Sequence, residues 1–421
     1  MREMKDSGIE WVGKVPATWK IMPNKYIMTK KKVIKEVYDD ENIISLSMNG
    51  VIVRDLEAGG KMPKTFDGYQ LVYPGNLLMC LFDYDVTPRC IGLIKDYGVT
   101  SPAYSQFVMN NGNYSGYYYY YYLMVDHTKA LLHLAKNLRH SFTEEQLGAI
   151  LAPVPTIEEQ QQIADYLDTQ CSEIDATAED IQKEISLLEE YKKSVITEAV
   201  TKGLNPDAEM KDSGIKWIGK IPINWQAVNP RWLFAQRKDR AKKGMEQYTA
   251  SQKYGVISQK DYMNRIGGSI VTVQKDFDIL KMVCEGDFVI HMRSFQGGLE
   301  YSKHTGSISS AYVMLIPQKN TGECRYFKWL FKSASYINAL QSTSNLIRDG
   351  QAMRYSNFIQ IIIPYPPLDE QQQIADYLDS KCSEIDAIIA DKKRQRGILA
   401  DYKKSLIYEY VTGKKEVPVH E

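Results

Sequence analysis

The sequence predicts an α+β chain: two strand-rich, mixed α/β modules separated and joined by two long antiparallel coiled-coil helices, with an approximate internal twofold relation. Three observations predict it. MKDSGIEWVGKVPATW at 4–19 returns as MKDSGIKWIGKIPINW at 210–225 with 11 of 16 residues identical, and EQQQIADYLDTQCSEIDA at 159–176 returns at 370–387 with 16 of 18 identical. The offset between copies grows from 206 to 211, so the second module is five residues longer. Each second anchor also follows a proline-marked exit, PVPTIEEQ at 153–160 and PYPPLDEQ at 364–371, where proline stops a strand and a helix can begin.

These exits delimit a first module at 1–156, a helix at 157–202, a second module at 203–367, a second helix at 368–415 and a tail at 416–421. Within the modules NIISLSM, LVYPGNLLMCLF, YSQFVM, GSIVTV, GDFVIHM and SSAYVMLIP are β-branched or aromatic runs bounded by Gly, Pro or Asn, which reads as strand. Stretches near 117–138 and 324–341 are candidate helices. In the first long helix Ile174, Ile181, Ile185, Leu188 and Val195 follow a three-four spacing, with Lys192 as a polar break. Its 46 residues would extend about 69 Å at 1.5 Å per residue. The second helix offers Ile385, Ile389, Leu399 and Leu406, but Lys392 and Arg396 stand where the first has Ile181 and Ile185. Either the seam opens there or long stems reach its edge. A helix that leaves module one for module two, packed on one that starts at module two, must run antiparallel to it, and such a bar would act as a ruler.

Composition excludes several classes. With 44% hydrophobic and 25% charged residues the chain is globular. No apolar run approaches the roughly 20 residues that span a bilayer, and the start lacks a signal peptide's apolar stretch, so no membrane partner and a cytoplasmic location are expected. The six cysteines are scattered without a CxxC pair, and the histidines lack HxxxH or HExxH spacing, so no metal is expected. Neither a phosphate-binding GxxxxGK[ST] loop nor a base methyltransferase's Asn/Asp-Pro-Pro-aromatic tetrapeptide occurs. Pro206, Asp207, Glu209 and Lys211 only superficially resemble a nuclease site and read as a solvated turn in a linker. The six tyrosines Tyr117 to Tyr122 cannot all face one way, which favours core packing and amphipathic surface over base stacking.

Net charge is zero, yet it is segregated: module two carries 22 basic and 13 acidic residues, module one 17 and 16, the first helix 4 and 12, the second 9 and 9. A basic surplus of that size suits a surface that neutralises phosphates.

Taken together, WVGKVPATW with PVPTIEEQQQIADYLD and the second copies WIGKIPINW and PYPPLDEQQQIADYLD resemble the specificity subunit of type I restriction-modification systems, over essentially the whole chain. The resemblance implies that each module is a target recognition domain reading one half of a split, asymmetric site in double-stranded DNA. It further implies helices that set the spacing and dock two methyltransferase subunits, and restriction subunits that can join the assembly. No activity of the chain alone is expected, with S-adenosylmethionine, ATP and Mg confined to the partners. Because the modules differ while the helices barely do, two different half-sites are expected.

Arginine and amide side chains match guanine and adenine edges. In module two, Arg293 and Gln296 are the candidates for base readout, with Lys303 and His304 close behind. Arg237, Lys238, Arg240, Lys242 and Lys243 are candidates for phosphate anchoring, and Arg348 and Arg354 for either. Arg54, Lys61, Lys64, Arg89 and Arg139 are the counterparts in module one. The competing reading is a non-catalytic coiled-coil scaffold that binds proteins. A fused nuclease or methyltransferase is disfavoured by the missing motifs.

Overall fold

A tryptophan indole buried against the first turn of a long helix organises each half of the chain. The computed structural model describes residues 2–57, 63–135, 140–268, 279–343 and 353–418. Two compact units emerge: Met1–Gln182 together with Arg394–Glu421, and Lys183–Lys393. The long helices span Ile157–Lys202 and Leu368–Val411, and each contributes residues to both units.

In the first unit Lys20–Pro23 pairs antiparallel with Leu151–Val154, which leads into the helix at Ile157. A four-stranded antiparallel sheet runs in the order Met28–Lys31, Ser105–Met109, Leu77–Met79, Ile91–Leu93. A hairpin, Ile44–Ser47 with Gly50–Val53, and the pair Gln70–Val72 with Gly98–Thr100 complete the module. The second unit repeats the plan: Gln226–Val228 with Ile363–Tyr365, a sheet in the order Phe234–Gln236, Val313–Pro317, Phe288–Ile290, Glu300–Tyr301, and a hairpin Tyr248–Ser251 with Gly255–Ser258. The architecture is thus shared where the sequence similarity fades. Of the strand runs read from sequence, GSIVTV lies outside the described residues from Ser269 onward. Met210–Asp212, read as linker, is a strand paired with Lys220–Pro222, because the repeat's opening motif forms a hairpin in both copies.

The near-identical EQQQIADYLD segments earn their identity residue by residue. Trp19 and Trp225 are buried, and an indole N–H removed from water needs an acceptor. Glu159 accepts from Trp19 Nε1 at 3.1 Å and Glu370 from Trp225 Nε1 at 2.7 Å. Glu159 also closes a reciprocal cap with Thr156, whose Oγ1 accepts the Glu159 N–H at 3.2 Å. Pro367 occupies the corresponding place in the second copy, where Glu370 binds Asn224 instead. Gln160, fully buried, accepts from the Tyr114 N–H and donates to Pro155 O; Gln371 likewise accepts from Glu323 N–H and donates to Pro366 O. Asp168 accepts from Tyr120 Oη at 2.7 Å, and Asp379 from Trp329 Nε1 at 2.9 Å. Each module's inner helix is thereby tied to the start of a long helix.

That inner helix in the first unit, Ser115–His127, holds the tyrosine run. Five of the six rings are buried and Tyr119 is half-buried, and burial raises their phenol pKa values. The run is core, with no ring left as a stacking platform. In the second unit Cys324–Leu330 and Ala334–Ser342 take this place.

Within each unit the long-helix segments run antiparallel. Ile163, Leu167, Cys171 and Ile174 share a core with Leu406, Ile407, Tyr410 and Val411; Ile374, Leu378 and Cys382 share one with Val195, Ile196, Ala199 and Val200. Of the seam positions read from sequence, Ile174, Ile181, Ile185, Val195, Ile385, Ile389 and Leu406 are buried, while Leu188 and Leu399 are only half-buried. The polar breaks are ion-paired: Lys192 with Asp386 at 2.6 Å, Lys392 with Glu184 at 2.5 Å, and Lys403 with Asp175 at 2.6 Å, while Arg396 donates to Gln182. The stems reach the seam's edge and find acceptors on the facing helix.

Glu370→Ala strands the Trp225 indole N–H. We expect urea unfolding of the full chain to report a loss of about 1–3 kcal/mol, with Glu370→Gln, which keeps an acceptor, losing less.

Candidate nucleic-acid interface

In the second unit the strand Phe288–Ile290 delivers the chain to a tight loop that presents Arg293 and Gln296 to solvent. The loop is held from beneath. His291, buried, donates its N–H to Ser294 Oγ at 2.9 Å, and its Nδ1 accepts the Arg293 N–H at 3.4 Å. Lys332 Nζ donates to Gly297 O at 3.0 Å and pairs with buried Glu300. Gly298 has φ +75°, and a Cβ there would sit 1.9 Å from Phe331 O, so glycine is required for the loop to pass.

The hairpin Tyr248–Ser251/Gly255–Ser258 brings its turn to the same place, since Gln252 Nε2 donates to Arg293 O at 3.0 Å. At that turn Lys253 and Arg265 both lie over the Tyr254 ring, at 5.1 and 5.0 Å from its centroid. Among the described residues none of Lys253, Arg265 and Arg293 has a carboxylate within ion-pair distance. The outcome is a solvent-facing group of three cations and two amides, Gln252 and Gln296. Sequence reasoning missed Lys253, Arg265 and Gln252; the signal was QKYG between two apolar alternations, with Gly255 at φ +70° closing the hairpin.

The other sequence candidates divide. Lys303 and His304 follow Glu300–Tyr301, which runs antiparallel to Phe288–Ile290, so they lie past its Asp287 end whereas Arg293 lies past its Ile290 end. The pairing therefore separates residues expected to act together, and the His304 ring stacks on Tyr248 at 5.1 Å. Lys238, Lys242 and Lys243 are exposed, and exposed Arg240 donates to Ile279 O. Arg354 is exposed at the start of the short helix Tyr355–Phe358. Arg237 is engaged within the module: its guanidinium grips buried Asp287 through Nε at 2.7 Å and Nη2 at 2.9 Å, and Asp239 through Nη1. Those bonds raise its pKa further and leave it little surface to offer.

In the first unit Lys64 is exposed and Arg54 half-buried. Arg89 is likewise engaged within its module. Its three nitrogens donate to Ile91 O at 3.1 Å, Met48 O at 3.0 Å and Tyr119 Oη at 2.5 Å, fastening the hairpin turn to the tyrosine helix. Lys61, Arg139 and Arg348 lie outside the described residues. Among the described residues no group of three or more His, Cys, Asp and Glu side chains is placed to hold a metal ion, and no helix is long and apolar enough to cross a membrane.

Comparison with known proteins matches residues 222–395 to the family described as type I restriction modification DNA specificity domain. Two relatives from Methanocaldococcus jannaschii are similar: the putative type I restriction enzyme MjaX specificity subunit, 25% identical over 291 residues, and the type I restriction enzyme MjaVIII specificity subunit, 25% identical over 285. These matches cover 66% and 64% of this chain and 62% and 63% of the relatives, so under two thirds of either relative is spanned. A solved chain from work on complex assembly and conformational transition of the type I R-M system superposes with a TM-score of 0.69 at 13% identity, covering 95% of this chain and 99% of that one. At that identity the likeness is one of fold.

Arg237→Ala leaves Asp287 buried and unpaired, which costs roughly 3–5 kcal/mol. Thermal unfolding should show that loss for Arg237→Ala and no measurable change for Lys238→Ala.

Proposed function

From the similarity of this chain to the specificity subunits of type I restriction-modification systems, we propose that it belongs to that family and reads a bipartite, asymmetric site in double-stranded DNA for a modification and restriction complex. In this reading it performs no catalysis itself. The observation that carries the proposal is the group formed by Arg293, Gln296, Gln252, Lys253 and Arg265. Arginine and glutamine offer paired donors and acceptors matched to guanine and adenine edges in the major groove, and unpaired cations nearby release counterions from phosphates. His291 and Gly298 hold the loop in place before any ligand arrives, which limits the ordering cost of binding.

Two methyltransferase subunits are the proposed protein partners, with restriction subunits joining the same assembly. S-adenosylmethionine, ATP and Mg belong to those partners in this reading. Support for a twofold partner comes from the repeat. Leu187 and Tyr191 are exposed apolar side chains one helical turn apart, 65% and 50% accessible, and their equivalents at offset 211 are Ile398 and Tyr402, 61% and 52% accessible. One such pair belongs to each unit. Both copies therefore present one apolar anchor of the same spacing, suited to two copies of one partner.

The test is duplex binding by the full chain assembled with its methyltransferase partner. Affinity should fall steeply with added salt. Arg293→Ala should cost about 1–3 kcal/mol and relax discrimination at one base pair, while Lys253→Ala should weaken all sequences alike and reduce the salt slope by about 1. Affinity indifferent to salt and to sequence would sink the proposal. For the partners, a Leu187→Ser/Tyr191→Ser chain should lose one methyltransferase copy in native mass measurements, and adding Ile398→Ser/Tyr402→Ser should lose the second.

A further inference from the structure

The two units present different side chains at equivalent places. In each, a hairpin follows the first strand of the four-stranded sheet, and a loop follows the sheet's third strand in spatial order, Leu77–Met79 or Phe288–Ile290. In each, loop and hairpin turn are bonded together, through Arg89 Nη1 to Met48 O in the first unit and through Gln252 Nε2 to Arg293 O in the second. The second unit offers cations and amides there. The first offers Met48 at the hairpin turn, 74% accessible, Ile52 and Val53 on the outgoing strand, 42% and 43%, and Val86 in the loop, 72%, with exposed Asn49 beside Met48 and Asp85, paired with His140, beside Val86. The arginine that could have supplied charge, Arg89, has its guanidinium committed to Ile91 O, Met48 O and Tyr119.

Resting on the DNA-reading proposal above, we infer that the first unit reads its half-site by apolar contact with thymine C5-methyl groups, through Met48, Ile52 and Val86. The thymine methyl is the one apolar feature a base pair presents in the major groove, and side chains of this kind recognise it by excluding water rather than by hydrogen bonding. Val51 and Leu46 cannot share the task, because they pack on Gly92, where an added Cβ would lie 2.4 Å from Val51 Cγ2 and 2.9 Å from Leu46 Cδ1. The hairpin thus has one side anchored on the module and another turned out.

Deoxyuridine is the probe, since it differs from thymidine only by the methyl group. The full chain with its methyltransferase partner is titrated with its cognate duplex, then with duplexes in which each thymine of one half-site is replaced. We expect replacement in one half-site to weaken binding about fourfold per methyl, the value of one methylene-sized apolar contact, and replacement in the other to change it less than twofold. A Met48→Ser/Ile52→Ser chain, altered only at exposed positions, should lose that sensitivity while keeping its thermal midpoint and its methyltransferase subunits. Equal or absent effects in both half-sites, a half-site without thymine, or a variant that stays sensitive would overturn the inference. So would a variant that sheds its protein partner and keeps its base discrimination, which would make the patch a protein contact. Sequence-specific binding of the unmodified duplex is the control that separates these outcomes from failure of the DNA-reading proposal itself.

Discussion

The fold turns on an indole N–H that has nowhere to go but a helix's first turn. Trp19 and Trp225 each bury a large ring at the close of an N-terminal hairpin, and their donors are met by Glu159 and Glu370. Those carboxylates lie in the first turns of the two long helices, where the helix dipole already favours negative charge. One contact therefore joins hairpin, helix entry and module. The glutamine that follows ties the helix to the loop before the inner helix, so the angle at which each module meets its helix is set by hydrogen bonds that burial makes costly to break.

The helix seam follows a different logic. Near each module its apolar layers are completed by module residues, and further along buried Ile181, Ile185, Ile385 and Ile389 are flanked by polar pairs, Gln182 with Arg396 and Glu184 with Lys392. Exposed ion pairs of this kind contribute little stability each. What they supply is register, because the acidic first helix is matched against the lysines of the second. The charge segregation in the chain is thereby partly an internal matter, since some of the first helix's acids face the second helix's bases.

Much of this was legible in the sequence because repetition with near identity exposes whatever the chain cannot vary. The helices, their proline exits and the shared plan of the modules could all be read that way. The site could not, because a cation's role depends on what lies beside it in space. Arg237 and Arg89 look like ligand-binding arginines in the chain and become internal braces once Asp287, Met48 O and Tyr119 are beside them. Lys253 and Arg265 look unremarkable until a hairpin sets both on Tyr254. Apolar residues at a turn, such as Met48, carry no functional signal in a composition at all.

The two units also differ in how their chain is drawn. Lys183–Lys393 is one continuous segment, whereas the other unit joins residues 1–182 to residues 394–421. Its core is completed by Leu406, Ile407, Tyr410 and Val411, and the Tyr117 hydroxyl waits on Val411 O, 294 positions later. In chain order, then, the unit begun first is completed by a segment that follows the whole of the other unit, so its apolar core stays open until that segment docks.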